Sequence, residues 1–379
     1  MTADRATAAV ESMPTPRPLT LQSAVPLVWL VLSDKGGDNA QAEAVATDLP
    51  WPSMAKRIAV KPEFALGKPK VEASLHHVDR ARSDPLEGPW PDLIVAIGRR
   101  MSMVALWIQE QSGGKSKIAL LGAPKGMIER FDLAVVSEQY RYPPRANTLR
   151  VRYPLQRIDR AAIAAETEVW RAEFAASPRP LIAVMIGGAT KEVRFDRGTA
   201  ERLGRDLGAL AERLAGTLFV TTSRRTPAEV VAALKRELPA RTQMHEWRAN
   251  DTRNPYRALL GLADLFVVTS DSLSMQMEVA RLGRPLAIYR LPPGSWLAAG
   301  PLSALVDGLF GWKALERRLG ALLDRLGALR HHRDLMAVPR RLVADGHAVW
   351  FGDPFPTDAP APPDEVAEVV ARIVALFKP

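Results

Sequence analysis

Cysteine is absent from the 379 residues of this sequence, which excludes disulfides, Cys-ligated zinc and a thiolate nucleophile. A run of about 18 apolar residues is also missing, and without one no helix is predicted to span a membrane. The six histidines form no helical metal pair with a carboxylate, and no Gly-x-Ser-x-Gly motif is present. The sequence therefore predicts no bound metal ion.

Acidic residues are fewer than basic ones, which gives a formal net charge of +9. A basic surface favours anionic partners such as nucleotides, phospholipid headgroups or nucleic acid. However, no run of Lys and Arg is interleaved with aromatic residues, so the pattern disfavours nucleic acid. A nucleotide or a peripheral membrane contact fits this composition better.

Hydrophobic side chains make up 47% of the sequence, which is enough for two ordinary domains with full cores. Residues 1–24 are rich in Ala, Thr, Ser and Pro and predict a disordered tail. That segment lacks the apolar stretch of a secretory signal. We therefore expect a cytoplasmic protein, and the association with a membrane that fits this expectation is peripheral contact with the inner membrane.

The stretch around which the chain is organised runs from residue 262 to residue 289. Residues 265–268 are apolar and β-branched, as in a strand that is buried on both faces. Asp271 or Ser272 can cap the helix that follows, and Gly283 can end it before the next strand. In open α/β sheets, ligands bind beyond the carboxyl ends of the strands, and a helix N-terminus there favours anions.

Glu278 interrupts the apolar face of that predicted helix, which otherwise carries Met275, Val279 and Leu282. One interpretation is a solvated helix face. The other is a carboxylate that accepts hydrogen bonds from the two adjacent hydroxyls of a sugar or ribose.

The first half of the chain alternates strands and helices, which predicts a doubly wound parallel sheet. Polar residues follow its first strand, and two interpretations apply to them. Either Asp38 is an ordinary helix cap, or Asp38 or Asp34 is a general base beside Asn39 and Gln41, which contact sugar hydroxyls. Arg99 and Arg100 follow a later strand. They either point to solvent or form an anion site, since an arginine fork suits a phosphate or carboxylate.

The second half repeats the pattern from residue 181 onwards. Gly187 and Gly188 follow its first strand. Either their backbone N–H groups face a diphosphate, with Lys191 adding charge, or the loop binds no ligand. Ser223 and Arg224 follow the next strand and are predicted to contact an anion. Trp247 offers either a stacking face for a nucleobase or an ordinary core side chain.

Six short motifs, in this order and spacing, resemble a known family. They are Gly36-Gly37-Asp38-Asn39-Ala40-Gln41, Gly98-Arg99-Arg100, Ile186-Gly187-Gly188, residues 221–227, Asn254-Pro255-Tyr256, and the stretch with Glu278. The chain resembles the GT-B glycosyltransferases, whose donor motif has a Ser/Gly-rich turn, a helix with Glu and a Gly-Lys/Arg-Pro. More closely, it resembles a family named after a plant mitochondrial-fission factor, whose bacterial members are also labelled predicted nucleoside-diphosphate-sugar epimerases.

The resemblance implies two Rossmann-like domains facing a cleft, with a C-terminal helix that crosses back to the first domain. It implies metal-independent transfer of a sugar from a nucleotide-sugar, without a further cofactor, to an unknown sugar or lipid-linked acceptor. The catalytic candidates are Asp38 and Asp34. The donor-binding candidates are Gly187, Gly188, Ser223, Arg224, Asp271, Ser272, Ser274, Met275 and Glu278, and the acceptor-binding candidates are Gly37, Asn39, Gln41, Arg99 and Arg100.

Two other function classes share these features. Non-hydrolysing epimerases of the same fold carry a Thr-x-His-Arg-Arg-Glu-Asn turn, but here the corresponding turn is Thr222-Ser223-Arg224-Arg225-Thr226-Pro227 and lacks the His. A non-enzymatic, membrane-associated binding protein is the third class, although such a protein has no need of Glu278 or of the Gly187-Gly188 loop.

Domain boundaries follow from the same pattern. We expect an acceptor domain over residues 25–160, a linker over 161–180, a donor domain over 181–345, and a C-terminal linker and crossing helix over 346–379. A long basic amphipathic helix is predicted over residues 312–330, and the crossing helix over residues 364–377.

Overall fold

The computed structural model describes residues 25–34, 36–64, 70–124, 126–140, 142–190, 193–249, 251–293 and 334–378. The predicted tail (residues 1–24), Lys191 and the predicted helix over residues 312–330 lie outside these described residues. Among the described helices, none is both long enough and apolar enough to cross a bilayer.

The first domain is built on a six-stranded parallel sheet with the strand order β2-β1-β3-β4-β5-β6. Its strands are β1 (Val28–Leu32), β2 (Ser53–Arg57), β3 (Leu93–Ile97), β4 (Lys117–Leu121), β5 (Leu133–Ser137) and β6 (Thr148–Val151). Helices α1 (Gly36–Asp48) and α2 (Gly98–Gln111) cover opposite faces of this sheet. The chain adds β2 on one side of β1 and β3 on the other, so the direction in which strands are added reverses between β1 and β3. Open sheets of this kind bind ligands at such a reversal point.

The second domain is built on another six-stranded parallel sheet, with the order β12-β11-β10-β7-β8-β9. Its strands are β7 (Leu181–Met185), β8 (Thr217–Thr221), β9 (Gln243–His245), β10 (Leu265–Thr269), β11 (Leu286–Tyr289) and β12 (Val349–Trp350). Its reversal lies between β7 and β10. From one edge to the other, the order β9-β8-β7-β10-β11-β12 is the strand order of a dinucleotide-binding fold, with β7 as its first strand.

Helices cover both faces of the second sheet. On one face lie α4 (Arg197–Leu214) and α5 (Ala228–Glu237). On the other lie α3 (Arg160–Phe174), α6 (Tyr256–Leu262), α7 (Leu273–Arg281) and α8 (Ala337–Ala344). Both domains are therefore doubly wound, as predicted.

The last helix, α9 (Val366–Ala375), packs on the first domain although the second domain precedes it in the chain. Val366, Val369 and Ile373 are fully buried there with residues of α1 and of the first sheet. Two Rossmann-like domains with a terminal helix that crosses back constitute the GT-B arrangement, so the predicted fold class is confirmed.

Two predicted domain boundaries need correction. Residues 161–180 are not a free linker, because Trp170 and Phe174 of α3 are buried in the core of the second domain. Residue 345 does not end the second domain either, because Val349 and Trp350 pair with β11 as its edge strand. Both corrections enlarge the second domain.

Candidate functional site

A cavity of about 350 Å³ opens between the two domains. Its lining combines the first turn of α1, the connection from β6 to α3, the carboxyl end of β8, the loop after β9, and the starts of α6 and α7. Six predicted site residues line it: Gly37, Ser223, Arg224, Ser274, Met275 and Glu278. The cavity therefore contains predicted donor-side residues from the second domain and a predicted acceptor-side residue from the first.

Among the described residues that line this cavity, Glu278 is the one carboxylate. Its Oε1 accepts a hydrogen bond of 2.7 Å from Nε2 of Gln156, and its Oε2 accepts one from the Tyr256 hydroxyl. The side chain is half-buried, so the interpretation of Glu278 as a solvated helix face is wrong. Each oxygen has a second lone pair that can accept a further hydrogen bond from a ligand.

Burial raises the pKa of the Glu278 carboxyl above its ordinary value. The hydrogen bonds from Tyr256 and Gln156 and the nearby charge of Arg257 act in the opposite direction. Burial and the adjacent Glu278 carboxylate also raise the pKa of the Tyr256 phenol well above its ordinary value, so Tyr256 remains a hydrogen-bond donor. Strongly perturbed groups in a cleft are typical of functional sites.

The carboxyl end of β8 supplies polar groups to the same cavity. The Thr221 side chain is only 2% exposed, and its hydroxyl has no hydrogen-bond partner among the described residues. Thr222 Oγ1 accepts a hydrogen bond of 2.8 Å from the backbone N–H of Trp247. That bond fixes the backbone of Trp247 next to the end of β8. Trp247 lines the cavity and is 39% exposed, so the interpretation of Trp247 as a core residue is wrong.

Ser223 and Arg224 follow β8 in a tight turn. The backbone N–H of Ser223 donates to the Thr226 hydroxyl at 2.9 Å, which fixes the turn. Arg224 is exposed at the cavity, and within the described part of the chain its guanidinium forms no hydrogen bond or ion pair. It is therefore available to an anionic group in the cavity.

Asp271 is not the N-cap residue of α7, which is Ser272; its carboxylate joins turns inside the second domain instead. Its carboxylate is fully buried and accepts hydrogen bonds from Gly188 N–H (2.9 Å) and the Thr269 hydroxyl (2.7 Å). Arg225 forms an ion pair with it at 2.8 Å and also donates to the Ser272 hydroxyl. Asp271 and Ser272 thus join the polar turns after β7, β8 and β10, and neither is among the residues that line the cavity.

The predicted phosphate contact at Gly187 and Gly188 needs correction. Both residues are buried, and their N–H groups donate to the Thr269 hydroxyl and the Asp271 carboxylate. These donors are satisfied inside the protein instead of facing a diphosphate. The glycines are required by packing, because a Cβ on Gly187 would overlap Asp271 and Ser272 and a Cβ on Gly188 would overlap the Arg225 backbone.

On the first domain, α1 begins at Gly36, so Asp38 lies inside its first turn and is not the N-cap. Asn39 is buried, and its amide forms two hydrogen bonds with the Ser33 backbone, at 2.9 and 2.7 Å. The prediction that Asn39 contacts a sugar is therefore corrected: it closes the turn after β1. Asp34 is exposed and Gln41 half-buried, and neither lines the cavity.

The two predicted anion-binding arginines lie in the first turn of α2, beyond the end of β3. Arg100 donates to the carbonyl of Phe64, and burial together with the Arg100 charge lowers the pKa of the Arg99 guanidinium. Neither arginine lines the cavity. Their role in acceptor binding stays a prediction.

Sequence reasoning missed two residues that are in direct contact with Glu278. Tyr256 belongs to a motif that had been singled out, Asn254-Pro255-Tyr256, so the signal was present without a role attached to it. Gln156 lies outside every motif, in the connection between the domains, and nothing in the local sequence indicated its contact. Within the described residues, no three His, Asp or Glu side chains form a group that could hold a metal ion.

The sequence model of the mitochondrial fission ELM1 family matches residues 36–308. This chain belongs to the mitochondrial fission ELM1 family. The mitochondrial fission protein ELM1 of Arabidopsis thaliana is 25% identical in an alignment of 252 positions that covers 60% of this chain. The alignment covers 58% of the plant protein, less than two thirds of its length.

Two solved structures are distantly similar to this member of the ELM1 family. UDP-GlcNAc 2-epimerase from Neisseria meningitidis, bound to UDP-GlcNAc, is 11% identical with a TM-score of 0.43, covering 84% of this chain and 99% of that one. A family 9 glycosyltransferase from Veillonella parvula is 13% identical with a TM-score of 0.38, covering 70% and 82%. Both likenesses are distant, and the sheets described above define the fold on their own.

Proposed function

We propose that the cavity between the domains binds a nucleotide-sugar and that the protein transfers the sugar to an acceptor. The observation that carries this proposal is Glu278, a carboxylate inside the cavity with one protein donor on each oxygen. Two adjacent ribose hydroxyls match the lone pairs that these bonds leave. The acceptor, a sugar or a lipid-linked sugar, then enters from the side of the first domain.

Other lining residues complete the proposed donor site. Trp247 offers an exposed aromatic face on which a nucleobase can stack. Arg224 and Ser223 also line the cavity. In this proposal they contact the phosphates, and the guanidinium stabilises the charge that develops on the departing nucleoside diphosphate. In this proposal no metal ion or further cofactor takes part.

The proposed general base is Asp38, which adjoins the cavity-lining Gly37 in the first turn of α1. It would take the proton of the acceptor hydroxyl in an inverting transfer. Asp34 is the second candidate. Gly37, Gln41, Arg99 and Arg100 are the proposed acceptor-side residues, and they lie in α1 and α2, the helices that follow β1 and β3.

Calorimetric titration with ADP, GDP, UDP and CDP, with and without magnesium, tests the proposal. We expect at least one nucleotide to bind without magnesium and Glu278→Gln to weaken it about ten- to one-hundred-fold. A hydrogen bond to a charged group contributes about 1.5–3 kcal/mol, and about 1.4 kcal/mol is a factor of ten.

Glu212→Gln is the matched control, because Glu212 is exposed on α4, away from the cavity. It is expected to bind as the wild type does. Failure of all four nucleotides to bind would refute the proposal and favour the non-enzymatic binding protein. Equal affinities in wild type and Glu278→Gln would remove Glu278 from the site.

A further inference from the structure

Gln156 brings a neutral amide from the connection between the domains to the carboxylate of the proposed donor site. It lies between the end of β6 at Val151 and the start of α3 at Arg160. Its side chain is 8% exposed, and its Nε2 donates to Glu278 Oε1 at 2.7 Å. The two residues are 122 positions apart in the sequence, so the fold alone brings them together.

The connection that carries Gln156 is held in place at several points. The backbone N–H groups of Arg152 and Tyr153 donate to the two carboxylate oxygens of Glu365, at 2.9 and 3.0 Å. The Tyr153 ring is fully buried, and its hydroxyl donates to Asp345 at 2.8 Å. The Gln156 amide therefore starts from an anchored backbone and has little freedom to follow a rotating carboxylate.

Two donors on different oxygens define the orientation of the Glu278 carboxylate. Tyr256 holds Oε2 from the start of α6, and Gln156 holds Oε1 from the connection. With one donor on each oxygen, rotation about the last side-chain bond would break both hydrogen bonds. With Tyr256 alone, the second oxygen has no fixed partner among the described contacts of this carboxylate.

We propose that Gln156 is a positioning residue, which fixes Glu278 so that its free lone pairs meet both hydroxyls of a ribose. This inference rests on the proposed function, because it assumes that a nucleotide occupies the cavity. Its particular consequence is discrimination between ribose and 2′-deoxyribose, which depends on the orientation of the carboxylate. General damage to the cavity would weaken both kinds of nucleotide alike.

The test compares the tightest-binding of ADP, GDP, UDP and CDP with its 2′-deoxy form, titrated into wild type and Gln156→Ala. We expect wild type to prefer the ribose form about ten-fold, as for one hydrogen bond to a charged group. In Gln156→Ala, affinity for the ribose form should fall about three- to ten-fold while that for the deoxy form changes much less. The preference should then largely disappear.

Gln243→Ala is the control, because Gln243 is exposed on β9 and does not line the cavity. It should keep the wild-type preference. If Gln156→Ala does not fold, Gln156→Met keeps the side-chain length and removes the donor, and the same loss of preference is expected.

Each result separates the two proposals. An unchanged preference in the Gln156 variant, or a proportional loss of both nucleotides, would overturn the positioning role and leave the nucleotide site intact. A wild type that binds no nucleotide would refute the proposed function and this inference with it. A wild type that binds the ribose and the 2′-deoxy nucleotide equally would refute the contact between the ribose hydroxyls and Glu278, on which the positioning role depends.

Discussion

Glu278 is held in a place that is unfavourable for a carboxylate in the free protein. Burial raises its pKa above the ordinary value of 4.5, so the native state binds the proton more tightly than the unfolded chain does. For such a group, the ionised form lowers stability, and the loss sets in as pH rises above the unfolded pKa. A buried carboxylate that reduces stability is typical of a residue retained for function.

The pH dependence of Glu278→Gln tests this interpretation. The amide has the same size and no charge, so at pH 7 we expect the variant to be at least as stable as the wild type. As pH falls below about 4.5, Glu278 becomes protonated in the folded and the unfolded state, so the part of the difference in unfolding free energy that arises from its charge should disappear. Urea unfolding of both proteins between pH 4 and 8 measures it. A variant that is less stable at pH 7 and equal at pH 4 would show that the ionised carboxylate stabilises the fold.

At the scale of elements, the carboxyl ends of β7, β8 and β10 are joined by one buried polar network. Asp271 links Gly188 N–H after β7, Arg225 after β8 and Thr269 at the end of β10. The network holds the three turns together at the reversal point of the sheet. It therefore supports the cavity wall formed by Ser223 and Arg224 without facing the cavity itself.

Replacement of Gly188 by alanine should disturb this network. The added Cβ would overlap the backbone of Arg225, and we expect a loss of about 1–3 kcal/mol in unfolding free energy, as for other overpacked sites. Gly198→Ala is the matched control, because Gly198 lies in the first turn of α4 and its Cβ would meet only ordinary contacts. Chemical denaturation compares the two. Equal stabilities would mean that the turn moves away from Arg225 without loss.

Strands with a continuous apolar run could be predicted from the sequence, whereas the edge strand β2 could not. The strands at Leu93–Ile97 and Leu181–Met185 are buried along their whole length, which makes their patterns unmistakable. The edge strand Ser53–Arg57 is mostly exposed and reads as a polar loop. Gly283 adopts a positive φ of +65° just after α7. The sequence predicted this helix end, because glycine is the residue that most often adopts a positive φ after the last turn of a helix.

Cavity-lining residues were predictable where they follow a recognisable strand, and unpredictable where no local pattern marks them. Glu278, Ser274 and Met275 lie in one stretch, and all three line the cavity. Gln156 comes from a different part of the chain. The glycines after β7 and Asn39 were assigned to ligands because small and polar residues at strand ends fit both a ligand and an internal network, and only the contacts distinguish the two.

At the scale of the whole molecule, the chain crosses between the domains in two segments that lie side by side. The first leads from β6 to α3 and carries Gln156, and the second leads from β12 back to α9. Glu365, buried in the second segment, accepts the N–H groups of Arg152 and Tyr153 in the first. Arg157 adds ion pairs with Asp48 of α1 and with Asp364. The relative position of the domains thus depends on the same contacts that place Gln156 at the cavity.

Glu365→Ala should therefore affect both stability and binding. The buried N–H of Tyr153 would lose its acceptor, which costs about 1–3 kcal/mol in unfolding free energy. The loosened connection would also place Gln156 less well, so affinity for the nucleotide that the wild type binds should fall together with the preference for ribose. Glu368→Ala is the control, because Glu368 is exposed on α9 and its removal should change stability by no more than about 0.5 kcal/mol. Urea unfolding and calorimetric titration of both variants measure the two effects. A Glu365 variant that loses stability but binds as the wild type does would show that the crossing segments hold the domains together without controlling the carboxylate at the cavity.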